Sequence, residues 1–125
     1  MKTITVKLQG SRLSVSPDTV NLSRQDPTAE WVKDPTSNPP FNIDFVGFTA
    51  GPDGDPNPVA GTGHLMGIPN RRSNGTWEVE RHSNPHAHAV TFKYAIFASA
   101  VNGHQSFGLD PEIVNDPDTD PPPKG

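Results

Sequence analysis

The chain has 125 residues, enough for one domain that buries roughly two thirds of its unfolded surface. It carries no cysteine, which removes disulfides, thiolate metal ligands and thiol nucleophiles together. Ten Lys plus Arg against fourteen Asp plus Glu give a net charge of −4 with no clustered basic face, which excludes nucleic-acid binding and attraction to anionic membranes.

No apolar run approaches the roughly 20 residues that span a bilayer, so membrane insertion is not expected. The amino terminus, MKTITVKLQG, alternates polar and apolar residues and lacks the continuous apolar segment of a signal peptide. The chain as it stands is therefore expected to be cytoplasmic, or exported and already processed. Fifteen prolines and eleven glycines fall between the apolar runs, the composition of a β protein with long loops.

In chain order, ITVKL places Ile4, Val6 and Leu8 on one strand face at period two. LSV follows, then Pro17-Asp18 turns the chain by fixing φ and offering a side-chain acceptor. Val20 and Leu22 form a short run. Gln25-Asp26-Pro27 turns into AEWVK, where Trp31 is the first large anchor. The three prolines of DPTSNPP remove backbone donors and predict a loop. FNIDFVGF puts Phe41, Ile43 and Phe45 on one face, with Gly47 permitting a bulge after which Phe48 turns inward.

Residues 49–74 show no periodicity, and a loop that long is usually functional. His64, Leu65 and Met66 are expected to pin it with a short element. Asn74-Gly75 signals a tight turn before TWEVE, in which Trp77 and Val79 share a face. The longest strand is AVTFKYAIFASA, with Val90, Phe92, Tyr94, Ile96 and Ala98 inward and Thr91, Lys93 and Ser99 outward. Asn102-Gly103 turns the chain again, and Ile113 and Val114 close the sheet. Residues 116–125 hold no apolar residue except proline and are expected to form a flexible tail. About eight short strands predict an all-β, antiparallel Greek-key sandwich occupying residues 1–115. Its expected core is Ile4, Val6, Val15, Val20, Trp31, Phe41, Ile43, Phe45, Trp77, Val90, Phe92, Tyr94, Ile96 and Ile113.

Residues 13–32, LSVSPDTVNLSRQDPTAEWV, follow strand, proline turn, short run, Asp-containing turn and Trp-bearing strand. PFNIDF, YAIFA and PEIV continue in the same order. This pattern resembles the cupredoxins across roughly residues 3–115, which implies their sandwich; another immunoglobulin-like sandwich is the alternative. Carried across, that family's first copper-binding histidine falls on Phe41 and its cysteine on Ala98. The second histidine falls on Val101, or on His104 with a longer loop, and the axial methionine on Ser106. A blue-copper centre needs two imidazoles and a thiolate. At most one ligand remains, so the resemblance implies the scaffold without copper electron transfer.

Five histidines are present, and HSNPHAH holds His82, His86 and His88. His86 and His88, two apart on a strand, share a face and can chelate one Zn²⁺ or Cu²⁺, with His82, Glu80 or His64 as a third ligand. The simpler expectation is that they cover the rim at the strand's start. His104 with Ser99, Ser106 and Asp110 offers hydrolase residue types, but no nucleophile elbow accompanies them. Asp53, Asp55, Asp116, Asp118 and Asp120 lack the spacing of an EF-hand loop. Trp31 and Trp77 have the rings for sugar stacking, but both sit on periodic faces and are expected in the core.

What remains is a non-catalytic interaction or structural module that binds another protein or itself and takes no cofactor. Exposed Phe48, Leu65, Met66 and Ile68 would mark its contact surface. The alternative is a Zn or Cu(II) binder using the histidine cluster.

Overall fold

The computed structural model describes residues 1–50, 66–84, 89–101, 106–109, 111–116 and 118, and every regular element among them is a strand. β1 (Lys2–Gln9) buries Ile4, Val6 and Leu8 and turns at Gly10 into β2 (Arg12–Ser16), which buries Leu13 and Val15. Gly10 has φ of 65°, a left-handed value that glycine adopts without steric penalty in a two-residue turn. The chain changes sheets at Pro17-Asp18, so β3 (Thr19–Leu22) lies in the second sheet. β4 (Thr28–Lys33) returns to the first sheet, parallel to β1.

β5 (Phe41–Ala50) belongs to the second sheet, and the short β6 (Asn70–Arg71) and β7 (Trp77–Glu80) to the first. Between them, Gly75 takes φ of 87° in the expected Asn74-Gly75 turn. β8 (Val90–Ala100), β9 (Ser106–Leu109) and β10 (Glu112–Asn115) complete the second sheet. The first sheet runs β2-β1-β4-β7-β6 and the second β3-β10-β8-β5, with β9 also on β8. β1–β4 and β3–β10 are parallel while the other ladders are antiparallel, so both sheets are mixed rather than purely antiparallel.

The inner faces of the two sheets share one core. Trp31 meets Tyr94 edge-on at 5.2 Å between ring centroids, and Trp77 Nε1 donates to the Ile43 carbonyl at 3.1 Å, each contact joining one sheet to the other. Fully burying such rings gives about 2 to 3 kcal/mol each from apolar area. Tyr94 is the only tyrosine, and its hydroxyl reaches no hydrogen-bond partner among the described residues. Burial pushes its pKa up to about 12; the nearby Trp31 N–H opposes this slightly and the Asp18 charge adds to it.

All the expected core residues are buried except Phe45. One bulge comes earlier than Gly47: the β5–β8 register slips between Ile43 and Phe45, leaving Asp44 without a partner on β8, and a second slip falls between Phe48 and Ala50. The extra residue at Asp44 reverses the faces. Val46 and Phe48 turn toward the core, and Phe45 turns out.

Where β7 ends, Arg81 is buried. Its Nε donates to Asn115 Oδ1 at 2.7 Å and its Nη2 to the Asp116 carbonyl at 2.8 Å, and Nη2 also pairs with the Asp118 carboxylate. Asn84 Nδ2 donates to the Asn115 carbonyl, and Asn115 Nδ2 to the His82 carbonyl. Asp116 Oδ1 accepts from Asn21 Nδ2 at 3.0 Å. Thus Asp116 and Asp118, which the sequence assigns to the tail, are tied to β3 and the end of β7. Among the described residues no helix is long and apolar enough to cross a membrane.

Candidate functional site

The bulge at Asp44 and the pleat of β8 bring two large apolar side chains to the solvent side of the second sheet. Phe45 is 50% exposed, and Phe97, directly opposite it in the β5–β8 register, is 49% exposed. Their ring centroids lie 6.2 Å apart with planes tilted by 38°. Phe45 also meets the edge of Trp77 at 6.0 Å, so the pair continues into the buried Trp77 ring at the side of the sandwich.

A glycine makes room for the Phe45 ring. A Cβ at Gly47 would lie 2.5 Å from two ring atoms of Phe45, so this ring rests directly on the strand. A Cβ at Gly108 would lie 3.5 Å from the Phe97 ring, an ordinary contact. Ala95, opposite Gly47, is equally small and is buried. Asn42 and Ser99 pair one step along the same face, and Lys93 lies beyond Ala95. The result is an aromatic pair with polar side chains around it. Phe97 was legible as a break in the outward series Thr91, Lys93, Ser99; Phe45 was hidden by the bulge.

Of the contact surface expected from the sequence, three residues are described, and they differ in exposure. Met66 is 9% exposed and packs in the core, because its backbone bridges to Arg81 and carries the side chain under the first sheet. Phe48 is partly buried, stacked at 5.6 Å on Phe92. Ile68 alone of the described three is open, at 75% exposure, and Leu65 lies outside the described residues.

His64, His86, His88 and His104 also lie outside the described residues. His82 is exposed, and its Nε2 comes within 3.6 Å of where a Gly67 Cβ would stand. Among the described residues no three His, Asp or Glu side chains converge as metal ligands. Asp53, Asp55, Asp110 and Asp120 are likewise outside that set, while Asp116 and Asp118 are engaged by Asn21 and Arg81.

Of the positions that resemble copper ligands, Phe41 and Ala98 are buried in the core, diagonal neighbours across β5 and β8. Val101 is exposed, its N–H donating to the Pro40 carbonyl, and Ser106 begins β9 opposite Ser99. Trp31 and Trp77 are both buried, so neither offers a stacking platform. Comparison with models of known protein families gives no match, and comparison with curated proteins gives none.

Proposed function

We propose that this chain is a non-catalytic interaction module, a cupredoxin-like sandwich without a copper centre, that binds a protein partner through the solvent face of its second sheet. The observation that carries the reading is the Phe45–Phe97 pair, two half-exposed rings opposed on a strand pair whose outward side is otherwise polar or small. Aromatic side chains at the centre of a patch, ringed by polar neighbours that exclude water, are where binding energy concentrates in protein interfaces. Each ring presents on the order of 100 Å². Together they form the centre of a contact whose rim is supplied by Asn42, Ser99 and Lys93, and not the whole of the roughly 800 Å² per partner of a standard interface.

The reading of a copper-free scaffold draws support from Phe41 and Ala98, the apolar residues at the positions that the resemblance assigns to copper ligands, which are buried in the core. The reading is tested by placing a photo-activated cross-linker at position 97 and, as a control, at Lys7 on β1. A discrete adduct from position 97, absent from position 7 and abolished by Phe45→Ser, is the expected result. Equal cross-linking from the two positions overturns it.

A further inference from the structure

Asn-Gly is a chemically labile dipeptide, because no side chain shields the glycine nitrogen from the asparagine amide carbon beside it. When that nitrogen attacks Cγ, an N–Cγ bond forms and the bond to the amide nitrogen breaks. Ammonia leaves, taking the proton that the glycine nitrogen gives up. Water then opens the cyclic imide at either carbonyl, and the product is aspartate or isoaspartate. The chain holds this dipeptide twice. Asn102-Gly103 lies outside the described residues, whereas Asn74-Gly75 forms the hairpin between β6 and β7.

Two features hold Asn74 in an unreactive shape. The Gly75 N–H donates to the Arg72 carbonyl at 3.0 Å, and Gly75 is left-handed with φ of 87°. That combination is a type I turn closed by a bulge, with Asn74 at its third position. In such a turn Asn74 has ψ of about 0°, and bringing the Gly75 nitrogen under Cβ to close the imide ring takes a rotation of about 120°. Asn74 Oδ1 is also fixed, accepting from the Thr76 N–H at 3.1 Å and from Thr76 Oγ1 at 2.7 Å. The attacking nitrogen is thus tied to Arg72, and the side chain it would attack is tied to Thr76.

The lock is shallow. Residues 70–74 are exposed, and β6 is two residues long at the edge of the first sheet. The ion pair beside the turn, Arg72 to Glu78, lies at the surface. Short edge elements with few buried contacts open at a free energy far below that of global unfolding.

We propose that Asn74 is a latent self-modification site. The closed β6–β7 hairpin shields it, and each opening exposes it to conversion into aspartate or isoaspartate, with water as the co-reactant. Aspartate keeps an acceptor for Thr76, so that product re-forms the turn. Isoaspartate adds a carbon to the backbone between Arg72 and Trp77, the residue whose ring Phe45 meets edge-on.

The test incubates the full chain at mildly alkaline pH beside a synthetic peptide of residues 70–80. Mass spectrometry of the tryptic peptide 73–81 follows Asn74 separately from Asn102. Hydrogen exchange of the Gly75 amide, read by NMR on the isotope-labelled chain, measures the opening independently. The folded chain should react at least about tenfold more slowly than the peptide, by the same factor that protects the Gly75 amide, since both processes need that N–H released from Arg72. Thr76→Val removes the hydroxyl donor, and should speed the reaction about fivefold while lowering Gly75 protection equally. Reaction of the folded chain at the peptide's rate overturns the proposal, and so does a Thr76→Val rate equal to that of the wild type. Where Thr76→Val also lowers the melting temperature, the two readouts decide: rate and Gly75 protection changing by the same factor supports the proposal, and one changing without the other overturns it.

Discussion

Tyr94 offers a direct check on how the two sheets meet. Its ring is fully buried against Trp31, and the cost of a phenolate in that setting raises its pKa to about 12. Against the ordinary value of about 10, this is on the order of 2.7 kcal/mol of preference for the protonated form in the folded state. The sign follows from proton counting. Between these values the folded chain holds a proton that the unfolded chain has lost, so stability falls as pH rises. The contribution is fully present below about pH 10 and lost as pH passes the folded value. Because the chain has one tyrosine, absorbance of the phenolate reports this site alone. A midpoint near 12 is predicted, or unfolding before it is reached. Tyr94→Phe should remove the alkaline fall in stability, and Asp18→Asn should move the midpoint down. A midpoint at the ordinary value in the folded chain would refute the packing of Trp31 on Tyr94.

Arg81→Met should destabilise the chain by about 3 kcal/mol, since the Asn115 Oδ1 and Asp116 carbonyl lose their charged donor in a buried setting; chemical denaturation measures it. For Asp118, burial opposes ionisation, but the Arg81 hydrogen bond, the Asn84 N–H and the Arg81 charge outweigh it and hold the carboxyl below its usual range. That contribution is present above the ordinary carboxylate pKa and disappears as pH falls through the folded value, so Asp118→Asn should flatten the acid limb of a thermal-stability profile. Gly67→Ala places a Cβ 2.7 Å from the Glu80 carbonyl, forcing apart the backbone that carries the Gly67 N–H to Glu80 bond. Calorimetry should show a loss of about 1 to 3 kcal/mol.

Alternation was readable wherever a strand stays regular. β8 carries its five inward residues as the sequence implies, and β1, β2 and β3 do the same. The strand β5 was misread for a specific reason. A bulge is a slip of backbone pairing, and Asp44 carries no mark to distinguish it from Gly47, the residue whose chemistry advertises flexibility. β6 spans two residues and exists only because β7 pairs with it, so no local pattern could reveal it. β9 was hidden similarly, in a stretch that reads as loop until β8 lies beside it.

The interaction surface shows the same division. Phe97 was visible as the one aromatic on a polar face, whereas Phe45 became a surface residue through the bulge at Asp44, next to it on β5. Met66 reads as a loop methionine but is buried through one bridge to Arg81, and Arg81 reads as surface charge but is buried through partners more than thirty residues away.

The most direct measurement of the central claim is the affinity for the partner captured from position 97, compared between wild type, Gly47→Ala and Phe45→Ser/Phe97→Ser. Gly47→Ala displaces the Phe45 ring by its far edge, which a flexible side chain accommodates at little cost to folding. Truncating both rings should cost at least about 2 kcal/mol of binding, roughly thirtyfold. Gly47→Ala should lose a substantial part of that with its melting temperature nearly unchanged. Unaltered affinity in both variants, with both folded, would contradict the account and move the binding surface away from the second sheet.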